Sequence, residues 1–434
     1  MRLSTTKSLR ACISPHSCTI TTNKNNNLNF KVDEAPKTSE HLSVDSKLNV
    51  SSSYLLDPQT NYPTKLNKRW MDYQGFKNWE GLLDPLDDNL RSEIIRYGHF
   101  VESAYRSCDF DPSSSSYATC RYPKRKLLEE SGLPGTGYRV TKNLIATSGI
   151  KLPGWVERSP TWIVTRSSWI GYVAVCQDMR EISRLGRRDV VIAFRGTATG
   201  LEWLENLRAT LTPLPDFGSK SGSNSEPDSE PMAESGFLSL YTSSLENRPS
   251  LQTLVKQEIS RILEKYGDEP LSFTITGHSL GAALATLAAY DIKKSFGKSP
   301  MVTVISFAGP RVGNRSFRGS LEKQGTKILR IVNSDDVITK VPGFVEDNEN
   351  NGFSGGDAAA GMGGWVQKLV ENTQWVYADV GCELRLSSRD SPYLNRINIA
   401  TCHDLKTYLH LVDGFVSSSC PFRATARKMM NKIN

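Results

Sequence analysis

The stretch LSFTITGHSLGAALA, residues 271–285, constrains this chain more than any other. Phe273–Thr276 is a short apolar run rich in β-formers, the pattern of a buried strand. It runs into Gly277, His278, Ser279, Leu280 and Gly281, a G-x-S-x-G turn, and then into the small residues Ala282, Ala283 and Ala285. Strand, sharp turn and helix at that spacing form a nucleophile elbow, which holds a serine hydroxyl exposed on a strained backbone. Gly277 and Gly281 lack a Cβ, so the helix can lie close against the strand before it. Free N–H groups at the helix start favour negative charge developing beside the serine.

A serine is a weak nucleophile until a base takes its proton, and hydrolases built on this elbow carry their partners in the order Ser, acid, His. Of six histidines, only His403 and His410 follow Asp335 and Asp336, the acid pair just past the apolar run Lys327–Val332. A loop at a strand end can aim a carboxylate at an imidazole, and neighbouring side chains point apart, so one of the two aspartates reaches it. His403 stands where a loop enters an apparent helix striped by Leu405, Leu409, Val412 and Val416, which makes it the expected base. His410, two turns on, is a packing or surface histidine. The side chain of His278 diverges from its neighbour Ser279 and is expected to be structural.

Asp189–Phe194, DVVIAF, is a nearly continuous apolar run of the sort found in sheets covered on both faces. It leads into Arg195, Gly196 and Thr197, the position from which an elbow hydrolase draws its second oxyanion donor. The N–H groups of Leu280 and Thr197 are therefore the expected oxyanion hole, with the Thr197 hydroxyl in reach. Leu201, Trp203, Leu204, Leu207 and Leu211 then share one helical face, the pattern of a lid over an acyl slot spanning about 198–215. Trp203, Leu204 and Leu207 are its expected lipid contacts. Residues 216–234 are low in complexity and expected to form a mobile surface loop.

Elsewhere, short β-rich segments fall at Tyr138–Ile145, Thr161–Thr165 and Trp169–Cys176. A helix is expected from Asp84, with Pro85 at its first position, to Tyr105, and another over Pro249–Tyr266. Strand Met301–Phe307, a helix from Asn314 and strand Lys327–Val332 complete an alternation that implies an α/β fold, a mostly parallel sheet covered by helices.

The formal net charge of +7 is concentrated at one end: residues 1–32 hold Arg2, Lys7, Arg10, Lys24 and Lys31 and no acidic residue. Without them little excess charge remains, which argues against a nucleic-acid partner. The same stretch is rich in Ser, Thr and Asn and has no apolar core of a secretory signal, so it has the make-up of an organelle transit peptide. Polar, serine-rich sequence continues to about residue 65. Residues 1–60 are accordingly expected to be leader and disordered linker, and 61–434 one domain. No apolar run approaches the roughly 18 residues of a membrane span. The eight cysteines include no C-x-x-C pair and no metal-finger spacing; no cofactor is expected. Cys176 falls in a strand, as an inert thiol, and Cys108 and Cys120 flank a serine-rich loop.

FRGT at 194–197, GHSLGAALA at 277–285, GPRVGN at 309–314 and NSDDVITKVP at 333–342 together resemble the class-three lipase family of α/β-hydrolases. In that register the acid is Asp336 and HDLKTYLH places His403 as the base. RWMDYQGFKNWEGLLDPLDDNLRSEIIRYG, the FRGTATGLEWLENL region and HDLKTYLHLVDGF are similar to the plant class I phospholipases A1, which carry plastid transit peptides. The resemblance covers residues 68–420. It implies metal-free hydrolysis of the sn-1 acyl ester of phospholipids or galactolipids at a membrane interface in the chloroplast, in the stroma or at thylakoid or plastoglobule surfaces. A neutral-lipid lipase, an acyltransferase or a catalytically silent lipase-like signalling scaffold would share the same fold.

Overall fold

The computed structural model describes residues 19–22, 28–31, 66, 69–150, 165–197, 210–215, 230–297, 299–340, 377–394 and 398–423. The chain divides into two units, Met1–Leu55 and Leu56–Asn434. In the first, Thr19–Thr22 pairs antiparallel with Leu28–Lys31. The second holds all that follows.

Its centre is a seven-stranded sheet: β1 (Tyr138–Thr147), β2 (Ser167–Cys176), β3 (Arg188–Phe194), β4 (Leu271–His278), β5 (Met301–Phe307), β6 (Lys327–Asn333) and β7 (Cys382–Leu386), in the order β7-β6-β5-β4-β3-β2-β1. Strands β3 to β7 run parallel; β1 and β2 are antiparallel additions at one side. Alternation along β3 sends Val190, Ile192 and Phe194 to one core and Val191 and Ala193 to the other. The first core packs against helices α2 (Leu251–Tyr266) and α3 (Leu280–Ser295). The second packs against α1 (Asp88–Ser107) and α6 (Leu405–Gly414), two helices that also touch each other. Helices α4 (Arg315–Lys323) and α5 (Ile399–His403) complete the numbering. No helix among the described residues is long and apolar enough to cross a membrane.

Several expectations need correction. Helix α1 begins at Asp88, not near Asp84. Asp84 and Pro85 lie in a tight turn bridged by Leu83 and Leu86, and the Asp87 carboxylate caps the helix by accepting from the N–H groups of Asn89 and Leu90. Leu211 does not continue a lid helix: Leu211–Pro213 is a short strand paired with Met232–Glu234. That second strand also ends the expected mobile loop early, because the buried Glu234 carboxylate caps the next helix through Gly236 and Phe237. Strand β6 is not the last parallel strand, since β7 lies beyond it. Residues 161–164 of the expected β-rich segment, lid residues 198–209 with Trp203, Leu204 and Leu207, and loop residues 216–229 lie outside the described residues.

At the end of the sheet away from the elbow, charge is buried as a closed set. Asp189 accepts from the hydroxyls of Tyr97, Tyr138 and Ser272 and faces Arg96 and Arg187. Burial opposes its ionisation, yet the two guanidiniums hold its pKa below the usual carboxylate value. The other end is left for chemistry.

Helix α3 is pressed onto that end. A Cβ at Gly281 would stand 2.5 Å from the Arg195 carbonyl oxygen and 2.6 Å from that of Phe194. Both are backbone atoms, so Gly281→Ala forces α3 off β3. The expected result is a loss of about 1–3 kcal/mol of stability, read as a lower urea midpoint, together with loss of the elbow's activity. An unchanged midpoint would contradict this packing.

Candidate active site

Ser279 joins β4 to α3 with φ 56° and ψ −123°, a left-handed conformation that a residue with a side chain adopts only under strain. The surroundings hold it there. Its N–H donates to the Phe307 carbonyl at the end of β5 (3.0 Å), and its side chain makes no cap hydrogen bond to α3. Instead Ser279 Oγ lies 2.8 Å from Nε2 of His403.

His403 ends α5, just before α6. Its Nδ1 lies 2.7 Å from Oδ2 of Asp336, which is fully buried past the end of β6. The same Oδ2 accepts from the Tyr408 hydroxyl (2.8 Å), and Oδ1 accepts from the Ile338 N–H (3.0 Å). Three donors thus meet one carboxylate, which leaves the serine-facing nitrogen of His403 as the acceptor for the hydroxyl proton. Burial and the Asp336 charge push the Tyr408 phenol far above its ordinary pKa, so it stays a donor. Of the two aspartates, Asp335 turns away, taking Ser387 Oγ at 2.9 Å and Arg389 at 3.0 Å. His410 also lies apart, 2.9 Å from Ser391 Oγ.

His278 does more than fill the elbow. Its Nε2 is 2.7 Å from the carbonyl oxygen of His403, so that nitrogen carries the proton and donates. Nδ1 is then the acceptor, and the Tyr105 hydroxyl donates to it at 2.7 Å. Burial first, and the neighbouring His403 second, push the pKa of His278 down to about 3, which keeps it neutral. Helix α1 therefore holds the backbone of His403 through one imidazole. Asn333, at the end of β6, adds a second hold: its Nδ2 donates to the Cys402 carbonyl (3.0 Å) and its N–H to the Tyr408 oxygen (3.1 Å).

Leu280 supplies the first N–H of α3, one of those a helix leaves without an internal partner. The loop after β3 passes close by, since a Cβ at Gly196 would stand 3.4 Å from Ser279 Cβ and 2.2 Å from the Tyr105 oxygen. Thr197, half-buried, is the next residue on that loop. Tyr105, Tyr408, Asn333 and Gly196 were not singled out in the sequence. Only Gly196 and Asn333 leave a trace there, inside FRGT and NSDD; the tyrosines sit in amphipathic stripes that look like packing. Among the described residues no group of three or more His, Cys, Asp or Glu could hold a metal ion.

The family model described as lipase (class 3) matches residues 191–346, the segment from β3 through Ser279 and past Asp336. The chain is also 68% identical over 373 residues to the chloroplastic phospholipase A1 DAD1 of Arabidopsis thaliana, covering 86% of this chain and 82% of that one. It belongs to the class 3 lipases. Two further Arabidopsis thaliana relatives in this family are the chloroplastic phospholipase A1-Igamma2, 39% identical (83% of this chain, 68% of that one), and the chloroplastic galactolipase DONGLE, 42% identical (80% and 70%).

Two outcomes follow from the His278 bridge. Tyr105→Phe strands the buried Nδ1 without a donor and loosens His403, so kcat falls about 3- to 10-fold with KM little changed; an unchanged kcat would contradict the bridge. His278 has an ordinary value of 6.5 and a folded value of about 3, so between these the unfolded chain binds the extra proton. Its contribution is complete above pH 6.5 and is lost as pH falls toward 3, by up to about 1.4 kcal/mol per pH unit. Urea unfolding across that range should show a shallower loss for His278→Gln, and equal slopes would refute the assignment.

Proposed function

We propose that this protein is a phospholipase A1, a serine acyl hydrolase that cleaves the sn-1 ester of phospholipids such as phosphatidylcholine and of galactolipids in plastids. One observation carries the reading: the unbroken relay Ser279–His403–Asp336, at 2.8 and 2.7 Å, in a chain 68% identical to a chloroplastic phospholipase A1. Identity of 42% to a galactolipase supports the galactolipid arm.

In this mechanism Ser279 Oγ attacks the acyl carbonyl while His403 Nε2 takes its proton, and Asp336 balances the imidazolium. The N–H groups of Leu280 and Thr197 hold the oxyanion. His403 then protonates the departing lysolipid alcohol, and water, activated by the same imidazole, releases the fatty acid from Ser279. A water-insoluble substrate must be met at its own surface. Val337, next to Asp336, and Ile399, at the start of the helix bearing His403, are large apolar side chains left 46% and 64% exposed, which supports contact with a lipid surface. Trp203, Leu204 and Leu207 are assigned to the lid over that surface. The basic, acid-free residues 1–32 and the chloroplastic relatives support a plastid leader within residues 1–60 and a site of action on stromal, thylakoid or plastoglobule lipid.

The test is release of positionally labelled fatty acid from phosphatidylcholine, monogalactosyldiacylglycerol and trioleoylglycerol vesicles or emulsions. The expected result is sn-1 release from the polar lipids that disappears in Ser279→Ala; dominant cleavage of trioleoylglycerol would overturn the headgroup assignment. Val337→Ser with Ile399→Ser should cut the rate on vesicles about tenfold or more while sparing a short soluble ester. An equal loss on both substrates would refute the interfacial role.

A further inference from the structure

Cys108 and Cys120 take no part in the hydrolytic chemistry, yet the fold sets them face to face. Cys108 directly follows α1 and stands opposite Cys120 in an isolated antiparallel bridge. The flanking hydrogen bonds run from Asp109 N–H to Thr119 O (2.9 Å) and from Arg121 N–H to Ser107 O (2.8 Å). The two cysteines are therefore a non-hydrogen-bonded pair, the narrow kind, with Cα atoms about 4.5 Å apart and side chains on one face. Disulfides span Cα separations of roughly 4.4–6.8 Å. Cys108 is buried and Cys120 half-buried.

The loop between them bears on the active site from two directions. Phe110 stacks on Tyr105, ring centroids 6.2 Å apart, and lies 5.6 Å from the Arg195 guanidinium carbon. The Ala118 carbonyl accepts from Trp169 N–H (2.8 Å), and the Trp169 carbonyl accepts from Arg195 Nε (2.8 Å). Tyr105 holds His278, and Arg195 stands two residues before Thr197. We propose that Cys108 and Cys120 form a reversible disulfide that fastens this loop against the oxyanion side of the active site.

The oxidant is an external disulfide, either a small-molecule disulfide or a dithiol–disulfide exchange protein. The Cys120 thiolate, the accessible one, attacks it and expels one thiolate, giving a mixed disulfide. The Cys108 thiolate then attacks Cys120 Sγ and expels the second. Two S–H bonds are replaced by one S–S bond, and the external disulfide takes the two electrons and two protons to leave as two thiols. Burial raises the Cys120 thiol above its ordinary value, so closure speeds up as pH rises.

Trypsin reports the outcome without reference to activity, because cleavage after Arg106 and Arg121 releases both cysteines on one peptide, residues 107–121. Full-length protein, shown folded by circular dichroism, is equilibrated with oxidised or reduced glutathione, alkylated, digested and weighed. After oxidation the peptide should be lighter by two hydrogen atoms and refuse alkylation; after reduction it should carry two alkyl groups. The half-life of hydrolytic activity at elevated temperature should be about 3- to 10-fold longer in the oxidised protein, with no such difference in Cys120→Ser. Two alkyl groups on the peptide after oxidation would overturn the disulfide. Closure with identical half-lives would overturn the fastening.

Discussion

The short hydrogen bonds that hold one imidazole between Ser279 and Asp336 depend on a carboxylate buried from bulk solvent. Asp336 is fully buried, and a buried anion is tolerated only when donors replace the lost hydration. Here the donors are Tyr408, the Ile338 N–H and His403 itself. With two fixed donors already in place, the third position is left for His403, which sets both its tautomer and its direction toward the serine. The carboxylate that His403 meets thus also aims it.

Holding His403 in that position takes more than Asp336. The His403 carbonyl is bound by His278, which reaches back to Tyr105 on α1, and the carbonyl of its neighbour Cys402 by Asn333, which reaches across from β6. Elements far apart in sequence converge because parallel strands β3 to β6 all deliver their carboxyl ends to one edge of the sheet. That edge carries the loop through Gly196 and Thr197, the turn at Ser279, and Asp336. The opposite edge is locked by the buried Asp189, Arg96 and Arg187 set, so the sheet is stiff where it is sealed and chemically open where it is not.

The turn at Ser279, the strands and the residues that meet at Ser279, His403 and Asp336 were legible because each depends on local chemistry. DVVIAF and FTIT are apolar enough to be strands wherever they fall, and G-x-S-x-G admits few other conformations. The choice between Asp335 and Asp336 was not legible from chain order, since both follow the same strand; it depends on Ser387 and Arg389, which reach Asp335 from a distant segment. β7 was missed because CELRL alternates charged and apolar residues, as an edge strand with one wet face does. The start of α1 was placed too early because Asp84-Pro85 and Asp87 offer equivalent capping chemistry, and the turn at Leu83 and Leu86 decides between them. Tyr105 and Tyr408 carry polar contacts from apolar stripes, where periodicity alone reports only burial.

The most direct measurement is covalent trapping with a long-chain alkyl fluorophosphonate, followed by peptide mapping. Activation of Ser279 by His403 predicts a single phosphonylated residue, Ser279, with labelling slowed at least about a hundredfold in His403→Ala and in Asp336→Asn. Labelling of another residue, or of Ser279 at an undiminished rate in folded His403→Ala, would contradict the relay.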